Sequence, residues 1–237
     1  MLPEPRLLVF DLDGTLIDSR IDLTNSVNAT LAHFGKPQLE SAVIAGYIGD
    51  GASTLVRRAL AHSYRVAGEA DPHDEAFVEQ ALDWFLDYYR IHKLDYTTVY
   101  PGVLDALTAI RCRHPHLPMA VLTNKPVNPS RDLCAHLGLA PFFFANYGGN
   151  SFSTKKPEPT GLLTLIAEAS ALHPARPPIA PAETVMIGDS HFDIETAKNA
   201  GTRSLGCAFG LSPETLAAAN PDLTVDHASE WPHALGL

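Results

Sequence analysis

The chain has 237 residues, 46% of them hydrophobic, and a formal net charge of −10, which suits one large domain or a domain carrying an inserted module. The acidic balance excludes nucleic acid as the expected partner, and no apolar run reaches the length that spans a bilayer, so no membrane association is expected. An anionic substrate meets a repulsive average field, so a phosphate site here needs local positive charge from a metal ion or a lysine.

The opening segment, Met1-Leu2-Pro3-Glu4-Pro5-Arg6, lacks signal-peptide form. Cys112, Cys134 and Cys207 are scattered without metal spacing and read as reduced thiols, so a cytoplasmic location is expected. Leu7-Leu8-Val9-Phe10 is apolar at every position, the pattern of a parallel strand buried on both faces. It runs into Asp11-Leu12-Asp13-Gly14-Thr15. Two carboxylates this close to a buried strand are costly unless a cation or proton offsets them. An ordinary Asp-Gly turn is the competing reading. A calcium loop is disfavoured because Thr15-Leu16-Ile17 interrupts the alternate-ligand spacing.

From Asp18 to Tyr96 no strand-like run occurs. Ser19-Arg20-Ile21-Asp22 has the form of a capping box with Asp replacing Glu. Leu23, Val27, Leu31 and Phe34 then follow at helical spacing to a stop at Gly35. Leu55, Ala59 and Ala67 mark a second amphipathic helix ending at Gly68, and Phe77, Ala81, Phe85 and Tyr89 a third, with the aromatics read as core. The block exceeds a normal strand-to-helix connection. Residues 18–96 are therefore expected to be an inserted helical cap, with 1–17 and 97–237 as the core domain.

After Pro101-Gly102 the elements alternate: helix Val103–Arg111, strand Met119–Leu122, helix Ser130–Leu137, short strand Phe142–Phe144, helix Thr160–Ala171, a Pro-rich loop, strand Thr184–Ile187, helix Asp193–Ala200, strand Arg203–Phe209 and short strand Leu223–Val225. This predicts an α/β fold, a Rossmann-like parallel sheet with helices on both faces. Ligands bind such sheets at the carboxyl ends of the strands, where Asp11, Thr123 and Asp189 all fall.

A carboxylate so placed can attack phosphorus, which makes Asp11 a candidate nucleophile. A divalent cation shared by Asp11, Asp189 and a backbone carbonyl would offset the charge, and hard oxygen ligands favour Mg2+. Asp13 is suited to general acid and base work on the leaving oxygen and the water. A lysine of Lys155-Lys156-Pro157 and the hydroxyl of Thr123 are candidates to hold a phosphoryl group. In Gly188-Asp189-Ser190-His191-Phe192-Asp193, Asp193 either caps the following helix or orients the lysine, with Ser190 supporting.

Four segments together, Asp11-Leu12-Asp13-Gly14-Thr15-Leu16, Leu122-Thr123-Asn124-Lys125, Lys156-Pro157-Glu158-Pro159 and Gly188 to Asp193, resemble the ordered motifs of the haloacid dehalogenase (HAD) superfamily. The resemblance implies a cap between the first and second motifs. It also implies Asp11 as nucleophile, Asp13 as general acid/base, Asp189 as Mg2+ ligand with Asp11 and the backbone of Asp13, and Thr123, Asn124 and Lys156 as phosphate-binding residues. Tyr47-Ile48-Gly49-Asp50-Gly51-Ala52, Val99-Tyr100-Pro101-Gly102-Val103 and Gly148-Gly149-Asn150 are similar to phosphoglycolate phosphatases within that superfamily. Asn150-Ser151-Phe152-Ser153-Thr154 departs from the acids that relatives often carry there. The expected activity is thus Mg-dependent hydrolysis of a small phosphorylated metabolite, 2-phosphoglycolate foremost, by a monomer or homodimer. The alternatives are a phosphatase of a phosphosugar, a sugar-acid phosphate or pyrophosphate, a phosphosugar mutase, and a non-catalytic binding protein of the same fold. In the cap, Gly49 and Gly51 allow backbone N–H groups close to a ligand, and one of Arg57 and Arg58, here Arg58, is expected to meet the substrate carboxylate.

Overall fold

The computed structural model describes residues 4–71 and 74–237. In chain order the elements are β1 (Leu7–Phe10), β2 (Ile17–Asp18), α1 (Arg20–His33), α2 (Ser41–Ala45), α3 (Ala52–Ala67), α4 (Glu75–His92), β3 (Thr98–Val99), α5 (Val103–Arg113), β4 (Met119–Leu122), α6 (Val127–His136), β5 (Ala145–Tyr147), α7 (Thr160–Ala171), β6 (Thr184–Gly188), α8 (His191–Ala200), β7 (Arg203–Cys207), α9 (Pro213–Ala219), β8 (Leu223–Val225) and α10 (Trp231–Leu235). They form two units. One takes the residues up to Asp18 with Val99–Leu237; the other is Ser19–Thr98.

The first unit is built on a six-stranded sheet in the order β5-β4-β1-β6-β7-β8, all parallel. The chain adds strands to one side of β1 and then returns to add them on the other, so the order reverses at β1. All four residues of β1 are fully buried. Because successive side chains alternate faces, Leu7 and Val9 pack with Leu162, Leu165 and Ile166 of α7 and Ala197 of α8. Phe10 instead meets the rings of Trp231 and Phe143, with centroids 5.2 and 5.8 Å away. Each such side chain, fully buried, contributes about 1.5–3 kcal/mol. This covering on both faces is why the strand carries no polar alternation.

The second unit is helical. Leu23, Val27 and Leu31 of α1, Leu55, Val56, Ala59 and Leu60 of α3, and Val78, Ala81, Phe85 and Tyr89 of α4 form its buried stripe, at the three- and four-residue spacing of an amphipathic helix. Asp74 caps α4, its carboxylate accepting from the N–H groups of Ala76 and Phe77 at 3.0 and 3.2 Å.

Local departures from the sequence pattern have physical causes. Ser19 makes no side-chain cap bond; the buried Asp22 turns instead to the N–H groups of Tyr96 and Thr97 and the Thr97 hydroxyl, at 2.7–3.1 Å. Phe142–Phe144 is not a strand: a 3-10 turn over Ala140–Phe142, with Pro141 in its first positions, precedes β5, which pairs Ala145 with Ala120. Helix α6 starts at Val127, ahead of the expected Ser130, because Pro126 and Pro129 both fall where no helical N–H donor is required.

Candidate active site

The carboxyl edge of the sheet gathers the charged groups. The Asp11 N–H donates to Ile187 O at 2.8 Å, continuing the ladder one step past β1. Its carboxylate is thereby left at the strand end, 5% exposed. Asp189 follows β6 in the same way and is 2% exposed. The Leu211 N–H donates to its carboxylate at 2.7 Å, and the Thr15 hydroxyl at 3.4 Å. Gly14, at φ +88°, and Gly210 close over it, and a Cβ at either position would overlap the Asp189 side chain.

Lys156, 3% exposed, reaches from the loop before α7. Its Nζ lies 2.8 Å from Asp11 Oδ1 and 2.6 Å from Asp193 Oδ1. The other oxygen of Asp193 accepts from the N–H and hydroxyl of Ser190 at 3.1 and 2.8 Å. Asp193 thus both ties down the first turn of α8 and fixes the lysine. Of the expected lysine pair, Lys156 is thus brought to the acids. Thr123 and Asn124 are buried at the end of β4. The Thr123 hydroxyl accepts from the Lys125 N–H at 3.2 Å, and the Asn124 side chain donates to Lys156 O at 3.1 Å. The two loops that carry the candidate phosphate ligands are therefore bonded to each other.

Electrostatics follow from burial. Burial raises the Asp11 carboxyl to about 6, with Lys156 pulling it down and Asp193 and Asp13 pushing it up. Asp189 is raised well above the usual carboxylate range by burial, then by Asp193 and Asp11. For Lys156, burial alone would lower the ammonium; the carboxylates of Asp11 and Asp193 outweigh it and hold the proton more tightly than usual. Carboxylate oxygens of Asp11, Asp189 and Asp193 lie within 4.8 Å of one another. Mutually repelling buried carboxylates, all hard oxygen donors, fit a divalent cation such as Mg2+. Both oxygens of Asp193 are engaged, by Lys156 and Ser190, and both of Asp189, by Thr15 and Leu211, while Asp11 faces Lys156.

The Asp13 carboxylate stands outside that trio. It accepts from Lys125 Nζ at 3.0 and 2.9 Å. The pairing of Lys125 with Asp13 was missed, although its place two residues past Thr123, at the same strand end, was visible. Thr15, Gly210 and Leu211 could not be found from sequence, because each serves the site only through tertiary contact with Asp189. Gly49, Gly51 and Arg58 belong to the helical unit. There the two glycines hold φ of +113° and +84°, Arg58 pairs with Asp50 at 3.0 Å, and Arg57 grips both oxygens of Glu75 at 2.6 and 2.5 Å.

A family model described as haloacid dehalogenase-like hydrolase matches residues 8–207, and the chain belongs to that family. It is 38% identical over 224 residues to a phosphoglycolate phosphatase of Pseudomonas putida, covering 94% of this chain and 76% of that one. It is 35% identical over 225 residues to a phosphoglycolate phosphatase of Chromobacterium violaceum, covering 95% and 94%. Among solved structures, that of a predicted phosphoglycolate phosphatase from Haemophilus somnus superposes with a TM-score of 0.88 at 27% identity, covering 99% of both chains. Among the described residues, no helix is long and apolar enough to cross a membrane.

Proposed function

We propose that the protein is a Mg2+-dependent phosphatase of the cytoplasm that hydrolyses 2-phosphoglycolate through an aspartyl-phosphate on Asp11. The carrying observation is the buried Asp11 carboxylate, gripped by Lys156 and set beside Asp189 at the carboxyl edge of the sheet. The names of the relatives supply the substrate.

In this reading an Asp11 oxygen attacks phosphorus and the bond from phosphorus to the bridging oxygen breaks. Asp13 gives its proton to the departing glycolate oxygen. It then takes a proton from water, whose oxygen attacks the phosphoryl group and releases phosphate and Asp11. Lys156, Thr123 and Asn124 offer N–H and O–H donors to the phosphoryl oxygens, worth most in a site this dry. Magnesium, held by Asp11, Asp189 and the Asp13 backbone carbonyl, would supply the charge compensation that lets one anion approach another. In this reading the helical insertion serves as a water-excluding cap.

Steady-state phosphate release from 2-phosphoglycolate, several phosphosugars, a sugar-acid phosphate and pyrophosphate tests the assignment. The expected result is the highest kcat/KM for 2-phosphoglycolate and loss of turnover on chelation of Mg2+. A better substrate among the others would replace the substrate, and no release from any would remove the phosphatase reading.

A further inference from the structure

Two buried lysines stand at the carboxyl edge of the sheet, with different partners. Lys156 serves Asp11 and Asp193. Lys125 serves Asp13, and the two side chains of that pair are only 4% and 9% exposed. A buried ion pair adds little to stability over an apolar pair of similar volume, although with Asp13 retained Lys125 also spares that carboxylate an uncompensated burial. Its position suits a ligand. The Lys125 N–H is bonded to the Thr123 hydroxyl, so one short loop carries both the candidate phosphate ligand and the ammonium.

In the proposed reaction Asp13 protonates the bridging oxygen of the ester. The group attached to that oxygen therefore lies beside Asp13 and, through the 2.9 Å pair, beside Lys125. In 2-phosphoglycolate the carboxyl carbon is two bonds from the bridging oxygen. An ammonium has rotatable donors and no planar requirement, so it can hold the Asp13 carboxylate and a substrate carboxylate together. The arginines to which the sequence pointed, Arg57 and Arg58, each already hold a carboxylate of their own unit.

We propose that Lys125 is the specificity-determining residue for the leaving group, pairing with a carboxylate on the carbon next to the bridging one. This rests on the assignment of the site as a phosphatase of 2-phosphoglycolate and adds which residue recognises the acid. The substrate class it selects is short alkyl phosphates bearing an acid group.

The test compares kcat/KM for 2-phosphoglycolate and for 2-hydroxyethyl phosphate, the same carbon skeleton with a neutral hydroxymethyl group in place of the carboxylate. Wild type, Lys125→Met, Lys125→Arg and Arg58→Ala are assayed with Mg2+. Wild type should favour 2-phosphoglycolate. Lys125→Met should cut that preference roughly 10- to 100-fold, the range of one charge-assisted hydrogen bond, chiefly through KM for the carboxylate substrate. Lys125→Arg should restore part of it. Equal losses on both substrates would mean that Lys125 only positions Asp13, and would overturn the proposal. So would an unchanged preference in Lys125→Met, or a preference lost in Arg58→Ala alone. If thermal melting shows Lys125→Met unfolded, Lys125→Gln, which keeps a donor for Asp13 without the charge, is read by the same criteria. A wild type with no preference between the two esters overturns the substrate assignment and this proposal together. A preference that survives loss of the lysine overturns this proposal alone.

Discussion

The two ends of the parallel sheet carry the same kinds of residue and put them to opposite use. At the amino end, Arg6, His114, His116, His173, Arg176 and Glu183 line an open cavity of about 510 Å³. The charges there stay wet: Arg6 and Glu183 meet at 3.0 Å with 29% and 39% of their side chains exposed, a pair worth about 0–1 kcal/mol. At the carboxyl end Asp11, Asp189, Asp193 and Lys156 are all at most 5% exposed. A roomy cavity costs nothing to keep, whereas buried like charges cost several kcal/mol per ion. The proposed chemistry is therefore assigned to where the fold accepts that cost.

The sharpest way to break this contrast is at Asp11. Asp11→Asn keeps the side-chain volume but offers phosphorus no carboxylate, and turnover should fall by at least roughly 10⁴-fold, as for other lost nucleophiles. Asp13→Asn should lose about 10²- to 10⁴-fold, the usual share of proton transfer. Steady-state assays on folded variants decide both, and near-normal turnover in Asp11→Asn would place the chemistry elsewhere.

A smaller effect links the carboxyl end to stability. Without metal, the folded-state value of Asp11 is raised from 3.8 to about 6. The native state then binds that proton more tightly than the unfolded chain does, so stability falls as pH rises from about 4 to about 6, and the loss persists above that. Asp189 acts in the same direction. Lys156 is raised, so its stabilising share is intact below its unfolded value of 10.5 and does not change in this window. Mg2+ at about 100 times its Kd should raise Tm by about 5–10 °C at pH 7.5, and by clearly less at pH 5, where protons already offset the charge. Equal shifts at both pH values would detach the cation from Asp11 and Asp189. The smallest effect belongs to the amino end: His173→Ala should leave kcat/KM within about twofold, as a surface change away from the site should.

What the sequence disclosed and what it hid divide along the same line. Asp11, Asp189 and Thr123 were legible because buried parallel strands read as unbroken apolar runs, and the residue after such a run stands at the ligand-binding edge. The stripe of the helical unit was legible from its spacing. The pairing of Lys125 with Asp13, 112 positions apart, and of Lys156 with Asp193, 37 apart, has no local pattern. Asp22 misled because its sequence position suits a capping box, while the fold brings it the unpaired N–H groups of Tyr96 and Thr97. The short strands β2 and β3 escaped because two residues hold no periodicity.

The most direct test of the central claim is to catch the phosphoryl group on the protein. Wild type and Asp13→Asn, mixed with 2-phosphoglycolate and Mg2+ and quenched in acid within the first turnover, are digested and mapped by mass spectrometry. The account predicts a phosphoryl group on Asp11, accumulating further in Asp13→Asn because the attacking water has lost its base. A first turnover that releases phosphate with Asp11 unmodified throughout, or with the group on another residue, would contradict it.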